Sequence, residues 1–166
     1  MKRLIILSIM ILICLSSCDN EENDCQPEKV ISNWNAEKEI TVEFDNEFER
    51  NNYSVIDGNK LLFEYNHSGA QCDNIADDEW GEKLIFQVEN NITLFEFIDE
   101  EILLTNCFYQ QYGAWVSHNQ YHVKNGTIKG EKLSKNKWKI VVAIETTHLS
   151  ENEQPKVIEF SEIYVE

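Results

Sequence analysis

The stretch TIKGEKLSKNKWKIVVAIETT, residues 127–147, decides the fold. Thr127 to Leu133 and Trp138 to Thr147 flank the polar tetrad Ser134-Lys135-Asn136-Lys137, which reads as a hairpin turn between two strands. Trp138, Ile140, Val142 and Ile144 recur at every second residue, the period of a strand that buries one face. Val141 and Ala143 fill the alternate positions, which predicts a central strand covered on both faces.

The same alternation spreads outward from this hairpin. Ile40, Val42 and Phe44 form one set; Leu61, Phe63 and Tyr65 a second; Leu84, Phe86 and Val88 a third; and Thr93, Phe95 and Phe97 follow the Asn90-Asn91 turn. Leu103 to Tyr112 reads as one longer strand, and Val157 to Val165 as the last, after a polar loop closed by Pro155. That last pattern slips between Phe160 and Ile163, which predicts a bulge at Ser161-Glu162. The one helical turn predicted lies over Asp77 to Lys83. About eight short strands with hairpin-length loops predict an all-β fold. The expected form is a single antiparallel β-sandwich domain over residues 38–166, with a small up-and-down, lipocalin-like barrel as the alternative.

The first eighteen residues, MKRLIILSIMILICLSSC, carry a different signal. Lys2 and Arg3 precede an apolar run, and the small pair Ser16-Ser17 precedes a cysteine, the order of a secretory signal. The run is shorter than the roughly twenty residues a spanning helix needs. Leu15-Ser16-Ser17-Cys18 resembles the lipobox of bacterial lipoproteins. The resemblance covers residues 1–18 and implies cleavage of a 1–17 signal peptide between Ser17 and Cys18, with Cys18 lipidated and carrying fatty acyl chains such as palmitate. It also implies an outer-membrane location, on the cell surface or the periplasmic face. Such chains contribute about 0.8 kcal/mol per buried CH₂, enough in combination for durable anchoring. Asp19 to Asp24 contains no apolar residue, so it suits a solvated tether and is similar to the acidic signals that carry some lipoproteins to the cell surface. Residues 18–37 are accordingly expected to form the lipidated cysteine and an acidic stalk.

The charge narrows the partners. The chain has 30 acidic and 14 basic residues and a net charge of −16, which becomes −18 when Lys2 and Arg3 leave with the signal. A field of that sign repels phosphate backbones, so nucleic acid is excluded as a partner. It attracts basic proteins, cationic peptides and divalent cations. Export also means an oxidising compartment. Of Cys25, Cys72 and Cys107, the last two lie within the strand-bearing region and are the expected disulfide; three unpaired thiols is the alternative.

Catalytic motifs are missing from the sequence: there is no Gly-x-Ser-x-Gly elbow, no Gly-rich phosphate loop and no Cys-x-x-Cys. His118 and His122 stand four apart, but on a strand that spacing separates them by roughly 13 Å. The expectation is therefore a non-enzymatic protein without a cofactor. Calcium is the one ion with candidate ligands, Asp73, Asp77, Asp78 and Glu79, although their spacing departs from the EF-hand loop. Tyr109, Tyr112, Trp115 and Tyr121 form the aromatic segment expected to grip a protein or glycan, with burial in the core as the competing use of the same residues. Together these observations lead to a lipid-anchored binding protein. The alternatives are an immunity-type inhibitor that neutralises a basic toxin and a calcium-binding β domain.

Overall fold

The computed structural model describes residues 25–114, 116, 120–146 and 155–166. The signal segment, Cys18 with its cleavage site, the acidic run to Asp24, Trp115 and His118 lie outside the described residues. The fold is all-β. Its strands are β1 (Cys25–Gln26), β2 (Lys29–Asp45), β3 (Arg50–Ser68), β4 (Gln71–Cys72), β5 (Trp80–Glu89), β6 (Leu94–Ile98), β7 (Phe108–Gly113), β8 (Gln120–Ser134), β9 (Lys137–Thr146) and β10 (Val157–Val165). Strand structure thus begins at Cys25, well inside the stretch expected to be stalk.

β1 pairs with β4, and the other eight strands form one sheet in the order β6-β8-β7-β5-β3-β2-β10-β9. β8 also pairs with β9, so the sheet returns on itself, its inner faces packing across a shared interior as sandwich layers do. β6 and β7 both pair with β8, at Thr127–Glu131 and at Gln120–His122, and act as one interrupted strand. Between them lies a 3₁₀ turn, Asp99–Thr105, whose last three residues, Leu103 to Thr105, fall in the stretch the sequence predicts as strand. The Glu101 carboxylate accepts the Ile98 N–H at 3.2 Å, and Asn106 ends the turn in the left-handed region at φ 48°. Predicted helix over Asp77 to Lys83 is not seen; β5 starts at Trp80.

The expected hairpin is present, with Trp138, Ile140, Val142 and Ile144 inward and buried. Its second strand is paired on both sides, but Val141 and Ala143 face solvent, so it is central in pairing and not in burial. β10 keeps continuous register with β9 from Val157 to Val165; the pattern slip marks Glu162 on an inward position rather than a bulge.

The interior is filled with aromatic side chains. Phe63 stacks on Phe86 at 5.0 Å and meets Trp138 and Tyr164 edge-on at 5.3 and 5.7 Å, across the sheet from its own strand. Phe63, Phe86, Trp138 and Tyr164 are all fully buried. The weakest join in the ring is between β2 and β10, which share one parallel bridge, Val165 to Asn33. Side chains close that seam: Tyr65 stacks on Phe160 at 4.1 Å, and Trp34 Nε1 donates to Asn136 O at 3.2 Å.

The disulfide joins Cys25 to Cys72 and staples β1 to β4. This replaces the expected Cys72–Cys107 bridge. Cys107 immediately precedes β7, whereas Cys72 lies by the end of the sheet where β7 finishes, so the two thiols sit at opposite ends of that strand. Cys107 is a free thiol, fully buried among core side chains, and its burial pushes its pKa far up.

Candidate functional site

Two features of the surface and rim combine unusual placement with polar chemistry. The first sits at the end of the ring where β3 finishes and β5 and β10 begin. Glu82 and His67 are directly paired across β3 and β5 and point inward, and Tyr109 on β7 joins them. Glu82 accepts hydrogen bonds from Tyr109 Oη at 2.8 Å and from Lys156 Nζ, and meets His67 Nδ1 at 3.1 Å. His67 Nε2 reaches the Glu28 carboxylate, and Lys156 Nζ also donates to Tyr109 Oη at 2.8 Å. Trp80 covers the group, 5.3 Å from His67 and 5.1 Å from Lys156 Nζ. Burial would raise the pKa of Glu82, but the hydrogen bonds from Lys156, His67 and Tyr109 outweigh it and hold the carboxyl below its ordinary value. Burial and the Glu82 carboxylate push the Tyr109 phenol well above its ordinary value. At neutral pH one group is thus fixed as an anion and the other as a neutral donor. Such a network plugs the rim and ties the start of β2 to the start of β10; neither group is poised near neutrality to exchange a proton.

The second feature is an arm. β2 and β3 are longer than their neighbours, and their register breaks between Ala36 and Glu39, opposite Asp57 and Lys60. Glu37 takes a left-handed φ of 58° there, and at Gly58 a Cβ would lie 2.3 Å from the Glu39 Cβ, so only glycine allows this close approach. The bend folds the distal hairpin back over the outer face of β3, β5 and β7. Ile40 and Tyr53 of the arm pack there on Leu62, Ile85 and Phe108, a second core separate from the interior. Tyr53 stacks on Phe108 at 4.7 Å.

Amide side chains of the underlying sheet grip the arm's backbone. Gln87 Oε1 accepts the Ile40 N–H, and Asn106 Nδ2 donates to Ile40 O at 3.0 Å. Gln120 takes both groups of Tyr53, and the Tyr53 hydroxyl bonds His122 Nδ1. Burial pushes the Tyr53 phenol up to about 12, while burial and the nearby Lys124 lower the pKa of His122. Neutral imidazole accepting from neutral phenol is the pairing these shifts favour.

Beyond Ile40 and Tyr53 the arm projects alone. Val42 and Phe44 continue the apolar face of Ile40, and Phe48 sits in the turn with Arg50 over its ring at 5.0 Å. Phe44 is 59% and Phe48 61% exposed. Asp45 shapes the turn by accepting the N–H groups of Glu47 at 2.9 Å and Phe48 at 3.3 Å.

Of the aromatic residues singled out in the sequence, Tyr109, Tyr112 and Tyr121 lie within the described residues. Tyr109 is buried in the plug, and Tyr121 lies half-buried 6.0 Å from it. Tyr112 lies on the outer wall, where its ring covers Gly81 and its hydroxyl bonds Ser68 Oγ at 3.0 Å. In the acidic loop, Asp78 accepts the Cys72 N–H at 2.6 Å, while Asp73, Asp77 and Glu79 point to solvent. Among the described residues no three His, Cys, Asp or Glu side chains gather in a way that could hold a metal ion. His122, paired with His118 in the sequence, instead serves the arm. The arm itself left one trace in the sequence: Leu62 and Ile85 are apolar at positions where one-sided strands would be polar.

The chain matches no family model, no curated protein and no solved structure.

Proposed function

We propose that this protein is a non-enzymatic binding lipoprotein, anchored through Cys18 at the bacterial outer membrane and recognising a protein or glycan at its outer surface. The observation that carries the binding reading is the filled interior. Phe63, Phe86, Phe95, Trp138 and Tyr164 pack ring against ring where a carrier of the barrel type would hold its ligand. Recognition is therefore assigned to the outside of the wall. The anchor reading rests on the lipobox-like Leu15 to Cys18. No described helix is long and apolar enough to cross a membrane.

A membrane-impermeant crosslinker applied to intact cells tests both parts. The expected result is a defined adduct of the wild-type protein, and release of the protein from the membrane fraction on Cys18→Ala. A Cys18→Ala variant that stays in the membrane overturns the anchor, and a wild-type protein that gives adducts neither in intact cells nor in opened envelopes overturns the binding role. A second reading, an immunity-type inhibitor of a basic toxin, is favoured by the net charge of −16 and by the acids that line the projecting arm. It predicts that deleting the gene sensitises the cell to a rival strain.

A further inference from the structure

We propose that the tip of the hairpin arm is the docking element, and that it fits a protein partner whose apolar pocket is ringed by basic residues. The inference rests on the binding reading above and names the surface and the class of partner.

Three observations on the arm converge. The first is exposure: Phe44 and Phe48 stand more than half exposed on an element that projects from the sheet, with Val42, two residues before Phe44 on the same face, also open to solvent. Lone exposed apolar residues are ordinary, but large aromatics grouped on one projecting element are the residue type that anchors protein interfaces. The second is charge. Glu43, Asp45, Glu47 and Glu49 alternate around the two phenylalanines, and Arg50, already seated over Phe48, is the one base between Lys38 and Lys60. An acidic rim around aromatic anchors complements a basic rim around a pocket, and it repels anionic lipid and nucleic acid.

The third is preorganisation. The arm is clasped at Ile40 by Gln87 and Asn106 and at Tyr53 by Gln120 and His122, so its position is fixed before any partner arrives. Rigid presentation removes part of the ordering cost of binding. Two other candidates among the described residues pair polar groups of their own with one another. The outer groove bounded by Leu94, Val141 and Lys139 has its Lys129 paired to Glu96 at 2.7 Å, and the plug around Glu82 spends its polar atoms on itself. The arm spends its polar backbone on being held and leaves its aromatic tip free.

Site-specific photocrosslinking tests this in the full-length protein in its own cells, with benzoylphenylalanine in place of Phe44, Phe48 or, on the opposite wall, Leu94. The expected result is one protein adduct from positions 44 and 48 and none from 94. The captured protein, identified by mass spectrometry, carries net positive charge. With the probe at 48, adding Phe44→Ser, or Glu43→Lys with Glu47→Lys, lowers adduct yield at least tenfold while the thermal midpoint stays put. An adduct from 94 but not from 44 or 48 overturns the docking site and leaves the binding reading standing. A captured protein of acidic charge, or a yield indifferent to charge reversal, overturns the stated partner class. No adduct from any of the three positions overturns this inference, while the crosslinking of intact cells and opened envelopes decides separately whether the binding reading stands.

Discussion

Gln120 holds Tyr53 by both sides of its peptide: the Tyr53 N–H donates to Gln120 Oε1 at 2.7 Å, and Gln120 Nε2 donates to Tyr53 O at 3.2 Å. A single side chain thus imitates the neighbouring strand that this edge of the arm lacks, satisfying groups that would otherwise invite pairing with another chain.

Gln120→Ala removes both bonds and leaves two half-buried backbone groups without these partners. The expected cost is about 1–3 kcal/mol, read as a lower urea midpoint. Amide exchange should accelerate from Ile40 to Val55 and stay unchanged at Phe63 and Phe86. Uniform acceleration across the sheet would mean that the arm is not a separable unit.

The interior and the tip predict opposite responses to the same chemical change. Phe63→Ala empties the centre of a stacked cluster and should cost about 3–5 kcal/mol. Phe44→Ala and Phe48→Ala should each stay within about 0.5 kcal/mol. Denaturant melts of the three variants compare them directly, and a tip variant as damaging as Phe63→Ala would show that the arm's phenylalanines are part of a core.

Acid should loosen the molecule in two windows. His122 has a lowered pKa in the folded state, so its contribution is present above the ordinary value of 6.5 and fades as pH falls below it. Glu82 is also lowered, and its contribution is lost as pH falls through the ordinary 4.5 and below. His122→Gln should flatten the first limb of a stability–pH curve and Glu82→Gln the second. If neither limb changes, these two groups do not carry the acid response.

Removing the disulfide through Cys72→Ser should cost about 2–4 kcal/mol, because Cys25 and Cys72 close a loop with a sequence separation of 47. Cys25→Ser should cost the same and the double variant no more. Cys107, buried and with its thiol pKa raised, should resist iodoacetamide until the protein unfolds. Prompt alkylation in the native state would contradict its placement.

The all-β character was legible because side chains such as Phe63, Phe86 and Ile140 leave a two-residue period that no helix shares. The arm was not. Ile40, Val42 and Phe44 announce an apolar face, yet the pattern carries no word on whether that face meets the interior, the outer wall or solvent, and here it meets the outer wall at one end and solvent at the other. The 3₁₀ turn escaped for a related reason: Leu103 and Leu104 look like strand residues, but both are exposed. The plug required Glu28, His67, Glu82, Tyr109 and Lys156 to converge from distant positions, and only strand register brings them together. Cysteine pairing was likewise a matter of which end of β7 each thiol reaches, which spacing cannot show.

The seam between β2 and β10 has one bridge, while β2 and β3 share a ladder from Lys29 to Asp45 and the disulfide fastens the chain just ahead of β2. That order matters to any protein hauled on from upstream of Cys25. Tension arriving there passes through the Cys25–Cys72 bond into the β3–β5 connection, so the load falls on a covalent link before it can peel β2 away from its poorly laced neighbour. In a protein held by its N-terminal end the staple acts as a strain relief, and in reducing medium the same tug would open the ring along that seam.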